Sequence, residues 1–181
     1  GTLLLEQKRP GFVAAQKNSE TIKAYLSGFT NKADAEPLLW LGAAWVSRGS
    51  VASEDSAIVA ELFVGVAILE HAVALDEGVG YATGLAALGA YHARSPDAEL
   101  AESKRLFERA LTLTNRGALT VQLLYAQNWA CNAHDKAAYE KLLAEAVEAG
   151  DVLPAQRLEN TIAKRKARRY LAPPRLKRCS F

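Results

Sequence analysis

The side chains able to do chemistry are few and lie far apart. Cys131 is followed by Asn132 and His134, the residue types of a thiol nucleophile with its base. That chemistry needs placement in space and a third group to orient the imidazole. Cys131 also sits near the end of an apolar helical segment, where a structural cysteine is the commoner occupant. His71, His92 and His134 fall on different segments, with no pair one helical turn apart and no CxxC. A metal site is therefore not expected. No phosphate loop, GxSxG or paired-carboxylate pattern occurs. These residues predict a non-enzymatic protein with no catalytic residue, no metal and no cofactor.

What remains is aromatic. Trp40, Trp45, Tyr81, Tyr91, Tyr125 and Trp129 recur along the chain. The plainer reading is core packing between helices. The functional reading has Trp40, Trp45, Tyr91, Tyr125 and Trp129 lining a cavity or concave face. Arg94, Gln127 and Asn128, with Gln122, would then orient an amphipathic ligand by polar contacts.

Those residues are carried by a repeat. Leu69-Glu70-His71-Ala72-Val73-Ala74-Leu75, Phe107-Glu108-Arg109-Ala110-Leu111-Thr112-Leu113 and Tyr139-Glu140-Lys141-Leu142-Leu143-Ala144-Glu145 are spaced by 38 and 32 residues. The steps bracket the 34-residue tetratricopeptide helix pair. One such pair leaves an apolar face uncovered, and stacking covers it. The periodicity predicts a helix at about 17–29, then pairs at 35–48 with 54–76, 80–93 with 97–114, and 118–131 with 134–149, and a closing helix at 154–171. The fold class is all-α, a tetratricopeptide-like right-handed stack of antiparallel helix pairs with a C-terminal capping helix. Residues 1–172 are read as one domain, and 173–181 as a basic tail whose order is open.

Local signals support the register. Gly42 and Gly89, each beside aromatics, are expected where a neighbouring helix comes close, with Ala126 in that role in the third pair. Gly49, Gly78, Gly117 and Gly150 are expected to end helices in the left-handed conformation. Asp34, Ser95-Pro96-Asp97 and Asn132 or His134-Asp135 are candidate helix starts, and Pro154 suits a first turn. The apolar run from Ile58 to Leu75 carries Glu61, Glu70 and His71, and is read as a helix buried on most sides rather than a membrane span.

Charge is unevenly spread. After Ala163 come eight basic residues and no acidic ones, which leaves the preceding chain at a net −6. The basic end is read as a solvated face pairing with the acidic body, in preference to a nucleic-acid or membrane contact. Two cysteines are too few for a disulfide framework. The favoured reading is a buried Cys131 and a free thiol at Cys179, with a bridge between them the alternative. The chain opens on Gly1 rather than methionine, and its start is expected to lie upstream.

Four segments resemble one family. Arg9-Pro10-Gly11-Phe12 is similar to its Pro-Gly-Phe turn, Leu39-Trp40-Leu41-Gly42-Ala43-Ala44-Trp45 to its aromatic helix, and Leu106-Phe107-Glu108-Arg109-Ala110-Leu111 to its repeat helix. The stretch Arg157-Leu158-Glu159-Asn160-Thr161-Ile162-Ala163-Lys164-Arg165-Lys166-Ala167-Arg168 resembles its closing helix. The family is TatT, the tetratricopeptide-like proteins of tripartite ATP-independent periplasmic (TRAP) transporters. The resemblance implies a periplasmic helical protein, often a lipoprotein, with its membrane anchor upstream of the present sequence. It implies a homotrimer that binds the transporter's solute-binding protein, and a cavity handling a small hydrophobic or carboxylate ligand. It brings no catalytic residue and no nucleic-acid partner. A generic tetratricopeptide scaffold that binds a peptide in its groove is the alternative.

Overall fold

In the computed structural model, which describes residues 2–52, 54–94 and 98–181, every regular element is helical. Two compact units are formed, Gly1–Gly80 and Tyr81–Phe181.

The first unit starts with α1 (Thr2–Lys8), α2 (Phe12–Ala15) and α3 (Ser19–Leu26). The turn between α1 and α2 is built by Gly11, at φ +107, and by the Glu6 carboxylate. Glu6 accepts from the N–H groups of Gly11 and Phe12 at 2.9 and 2.8 Å. A left-handed backbone is sterically open to glycine and costly for other residues. The turn delivers Phe12, fully buried, against Tyr25, whose hydroxyl reaches the carbonyls of Leu5 and Arg9.

A 3-10 turn at Lys32–Asp34 leads into α4 (Ala35–Val51). The Asp34 side chain does not cap α4, as the sequence suggests; it pairs with Lys8. Then come α5 (Ser56–Ala60) and α6 (Leu62–Leu75). The apolar run is thus broken at Glu61, which pairs with Arg48 at 3.1 Å. The expected burial holds only for its second part. Val64–Leu69 and Ala72 are buried, whereas α5 has no buried residue. By length and composition alone Ser56–Leu75 is apolar enough to cross a bilayer.

Helices α4 and α6 form an antiparallel pair in close contact because glycine lies at the crossing. A Cβ on Gly42 would stand 2.8 Å from Leu69 Cγ and 3.0 Å from the Gly65 carbonyl oxygen, and one on Gly65 would stand 2.8 Å from Trp45 Cβ. The close approach expected at Gly42 is therefore present. Gly49 departs from expectation. It lies inside α4, facing Leu62, and ends no helix.

The second unit takes up α7 (Val79–Arg94) from Tyr81 onward, then α8 (Leu100–Leu113), α9 (Leu119–Tyr125), a π turn (Ala126–Ala130), α10 (Lys136–Glu148), a 3-10 turn at Pro154–Gln156, α11 (Arg157–Tyr170) and α12 (Pro173–Leu176). At the start of α7, Gly80, Tyr81 and Ala82 hold φ of 58, 58 and 60°, a left-handed turn. Gly89 again marks a close approach, with a Cβ there 2.9 Å from the Phe107 ring. The Ser103 hydroxyl donates to the Gly89 carbonyl at 2.7 Å across the same crossing. Ala126 is fully buried. The candidate cap at Ser95-Pro96-Asp97 lies outside the described residues. Asp135 caps α10 by accepting from Ala138 N–H at 2.8 Å.

Helix ends in this unit are not closed by the expected glycines. Asn115, His134 and Ser180 take the left-handed position, and the following N–H groups of Arg116, Asp135 and Phe181 reach back to Leu111, Ala130 and Leu176. This is the six-to-one closure of a helix C-terminus, filled here by polar residues that tolerate positive φ.

The tail carries the largest correction. Cys131 and Cys179 form a disulfide, with Cα atoms 4.9 Å apart, so neither thiol is free. α12 and the 3-10 turn at Lys177–Cys179 turn the chain back so that Cys179 is buried and Phe181 packs edge-on against Tyr139. A separation of 48 residues gave no hint of that proximity.

Candidate functional site

The eight predicted site residues divide between the units. Trp40 and Trp45 belong to α4. Trp40 is 54% exposed and its Nε1 donates to Glu36 Oε1 at 3.5 Å. Trp45 is half-buried, edge-on to Phe12 at 6.1 Å, and its Nε1 is buried with no partner.

In the second unit Tyr125, Trp129 and Phe107 come together. Tyr125 is stacked on Phe107 with ring centroids 4.8 Å apart and tilted on Trp129 at 5.3 Å. Burial, then the Glu108 carboxylate 3.5 Å away, pushes the Tyr125 phenol well above its ordinary value. Trp129 Nε1 donates to the Leu100 carbonyl at 2.8 Å, and the Lys104 ammonium lies 5.2 Å over its ring. The cluster thus joins a buried stacked pair to a partly open indole under a cation.

Gln127, Asn128 and Trp129 all lie in the π turn. Such turns shift the register of a helix by one residue and are common at functional sites. Asn128 is buried and donates from Nδ2 to the Leu124 carbonyl at 2.8 Å; Gln127 is half-buried. Gln122 is fully buried, donates to the Arg116 carbonyl at 2.8 Å and leaves its Oε1 without a partner.

Tyr91 packs against His92 at 5.4 Å. Arg94, at the end of α7, lines an open cleft of about 270 Å³ with Asn132, His134, Arg178 and the disulfide. His134 Nδ1 meets the Cys179 carbonyl oxygen at 3.2 Å; a carbonyl only accepts, so Nδ1 carries the proton. Arg94 stands at the C-terminal end of α7, where positive charge is favoured. With Cys131 in the disulfide, the Cys–His nucleophile is not available. Among the described residues no three His, Cys, Asp or Glu side chains converge as a metal site would require.

Asn160 is a structural residue that no signal in the sequence marks. It is buried on α11, accepts from Leu119 N–H and donates to the Gly117 carbonyl, both at 2.9 Å. At the basic end the expected solvated face is present, but ion pairs with acidic residues are absent among the described residues. Lys164 donates to the carbonyls of Ala149 and Gly150 at the end of α10, and Arg175 lies over Tyr170. Arg165, Lys166, Arg168, Arg169, Lys177 and Arg178 are exposed and form no ion pair among the described residues. The acidic body does not neutralise them.

Paired helices throughout the described residues define a tetratricopeptide-like, all-α protein. The chain belongs to the TAtT family, the TRAP transporter T-component, whose family model matches residues 1–174. It is accordingly a non-enzymatic helical-repeat protein linked to TRAP transport, and the family name places it in the periplasm. No curated protein matches it.

Proposed function

We propose that this chain docks the solute-binding protein of a TRAP transporter and holds a small hydrophobic or carboxylate ligand as it is handed on. The observation that carries the reading is the family match over residues 1–174, on a chain whose described part is helical throughout. The Cys131–Cys179 disulfide supports the compartment, since structural disulfides persist in the oxidising periplasm and are rare in the cytosol. The proposed apolar contacts are Trp40 and Trp45 in the first unit and, taken separately, Tyr91, Tyr125 and Trp129 in the second, where Arg94, Gln127 and Asn128 are the polar contacts. Trp129 and Trp40 are the most direct candidates, because each presents an indole that the core does not enclose. The lipid anchor and the homotrimer implied by the resemblance belong to the same proposal.

Affinity capture of the solute-binding protein on the immobilised chain, with mass measured by light scattering, tests the reading. It predicts a saturable complex and a trimer mass. A monomer that retains no solute-binding protein contradicts it.

A further inference from the structure

The closing helix presents an outer face that its own chain does not use. Asn160, Ala163 and Ala167 are buried on its inner side. Opposite them, Leu158, Ile162, Arg165 and Arg169 follow at steps of four, three and four residues, so they form one stripe. Leu158 is 68% and Ile162 45% exposed. Arg165 and Arg169 are exposed without an ion pair, and so are Lys166 and Arg168 on either side. The stripe is apolar in its first half and cationic in its second.

Two features set it apart from an ordinary solvated helix face. A solvated face has few large aliphatic groups, and basic residues are commonly answered by acidic neighbours three or four positions away. Here Leu and Ile occupy the stripe, and no acidic residue follows Glu159. The acidic residues of the chain lie before the basic end and leave it uncompensated. Arginine is enriched at protein interfaces, and a cationic face selects and steers an anionic partner.

We propose that this outer face of α11 is the docking surface for the solute-binding protein, meeting an apolar patch bordered by Asp and Glu. Leu158 and Ile162 would fill the centre of the contact. Arg165 and Arg169 would pair with carboxylates at its edge, where the planar guanidinium engages a carboxylate through two parallel hydrogen bonds. The proposal rests on the reading above that a solute-binding protein docks at all.

The test is titration of the full-length chain with the solute-binding protein of its transporter, in about 0.05 M and about 0.5 M salt. Variants are Arg165→Glu/Arg169→Glu, the milder Arg165→Gln/Arg169→Gln, Leu158→Ser and, as control, Lys17→Glu in the first unit. Circular dichroism and light scattering check that each keeps its fold and mass. Binding is expected to weaken about tenfold or more for the Glu pair, less for the Gln pair, and severalfold for Leu158→Ser, with the control within about twofold. The Glu pair is also expected to flatten the salt dependence. Parent binding with all variants unchanged overturns this surface and leaves docking standing, whereas no parent binding overturns docking itself. A changed mass for the Glu pair makes the face a contact between copies of this chain and overturns the proposal. So does binding of the parent to anionic lipid vesicles but not to the solute-binding protein.

Discussion

Asn160 ties α11 to the turn before α9 through one side chain. Its amide satisfies one buried N–H and one buried carbonyl on the turn that opens α9, so α11 is keyed to one register. Replacement by Ala leaves both groups without partners. The expected loss is about 2–4 kcal/mol, measured by urea unfolding, with the helical spectrum retained. The tyrosines give a second residue-scale prediction. Burial raises the phenols of Tyr25, Tyr125 and Tyr139 above 10.0. The unfolded chain releases these protons first, so their contribution is fully present below about pH 10 and falls away as pH rises above it. The denaturation midpoint should drop as pH rises from about 10 to about 11.5, and Tyr125→Phe should shrink that drop. Residue chemistry was only partly legible in the sequence. Gly42 and Gly89 could be placed because small residues beside aromatics signal a close helix crossing. Asn160 could not, because an amide in a basic helix looks like a solvated one until its turn is packed beneath it.

At the level of elements, the crossing of α4 and α6 depends on the missing side chains of Gly42 and Gly65. Gly to Ala inside an exposed helix normally stabilises by about 1 kcal/mol. Here the new methyl of Gly42→Ala would meet the Gly65 carbonyl oxygen and the Leu69 backbone nitrogen, each at 3.0 Å, and neither can rotate away. The sign reverses, and Gly42→Ala is expected to destabilise by about 1–3 kcal/mol in thermal or urea unfolding. Gly150→Ala, with nothing within 4 Å of its Cβ, should change stability little. Helix order, the three repeat blocks and the closing helix were readable because apolar spacing follows the helical period. The break at Glu61, the π turn and the polar left-handed caps were not, since each depends on backbone hydrogen bonds rather than on composition.

At the scale of the molecule, the disulfide is the feature composition hid most completely. It ties the 3-10 turn that follows α12 to the end of the π turn and closes a loop of about 48 residues. Constraint of the unfolded chain by a loop of that length is worth about 4 kcal/mol in the chain-entropy account. Reduction, or Cys131→Ser with Cys179→Ser, should lower the urea midpoint accordingly and free the tail to proteolysis before the repeats unfold. A tail as open to protease with the bridge intact as without it would contradict that view. The family match, the helical pairs and the oxidised cysteines agree on a periplasmic helical-repeat protein linked to TRAP transport.

Binding to the solute-binding protein is the central claim, and isothermal titration of the purified, oxidised chain with the solute-binding protein of the same transporter measures it directly. A saturable complex is predicted, weakening as salt is raised because charge on α11 contributes to it. A folded chain that gives no heat and no complex with that partner up to about 1 mM, the weak end of the affinity range, would contradict it.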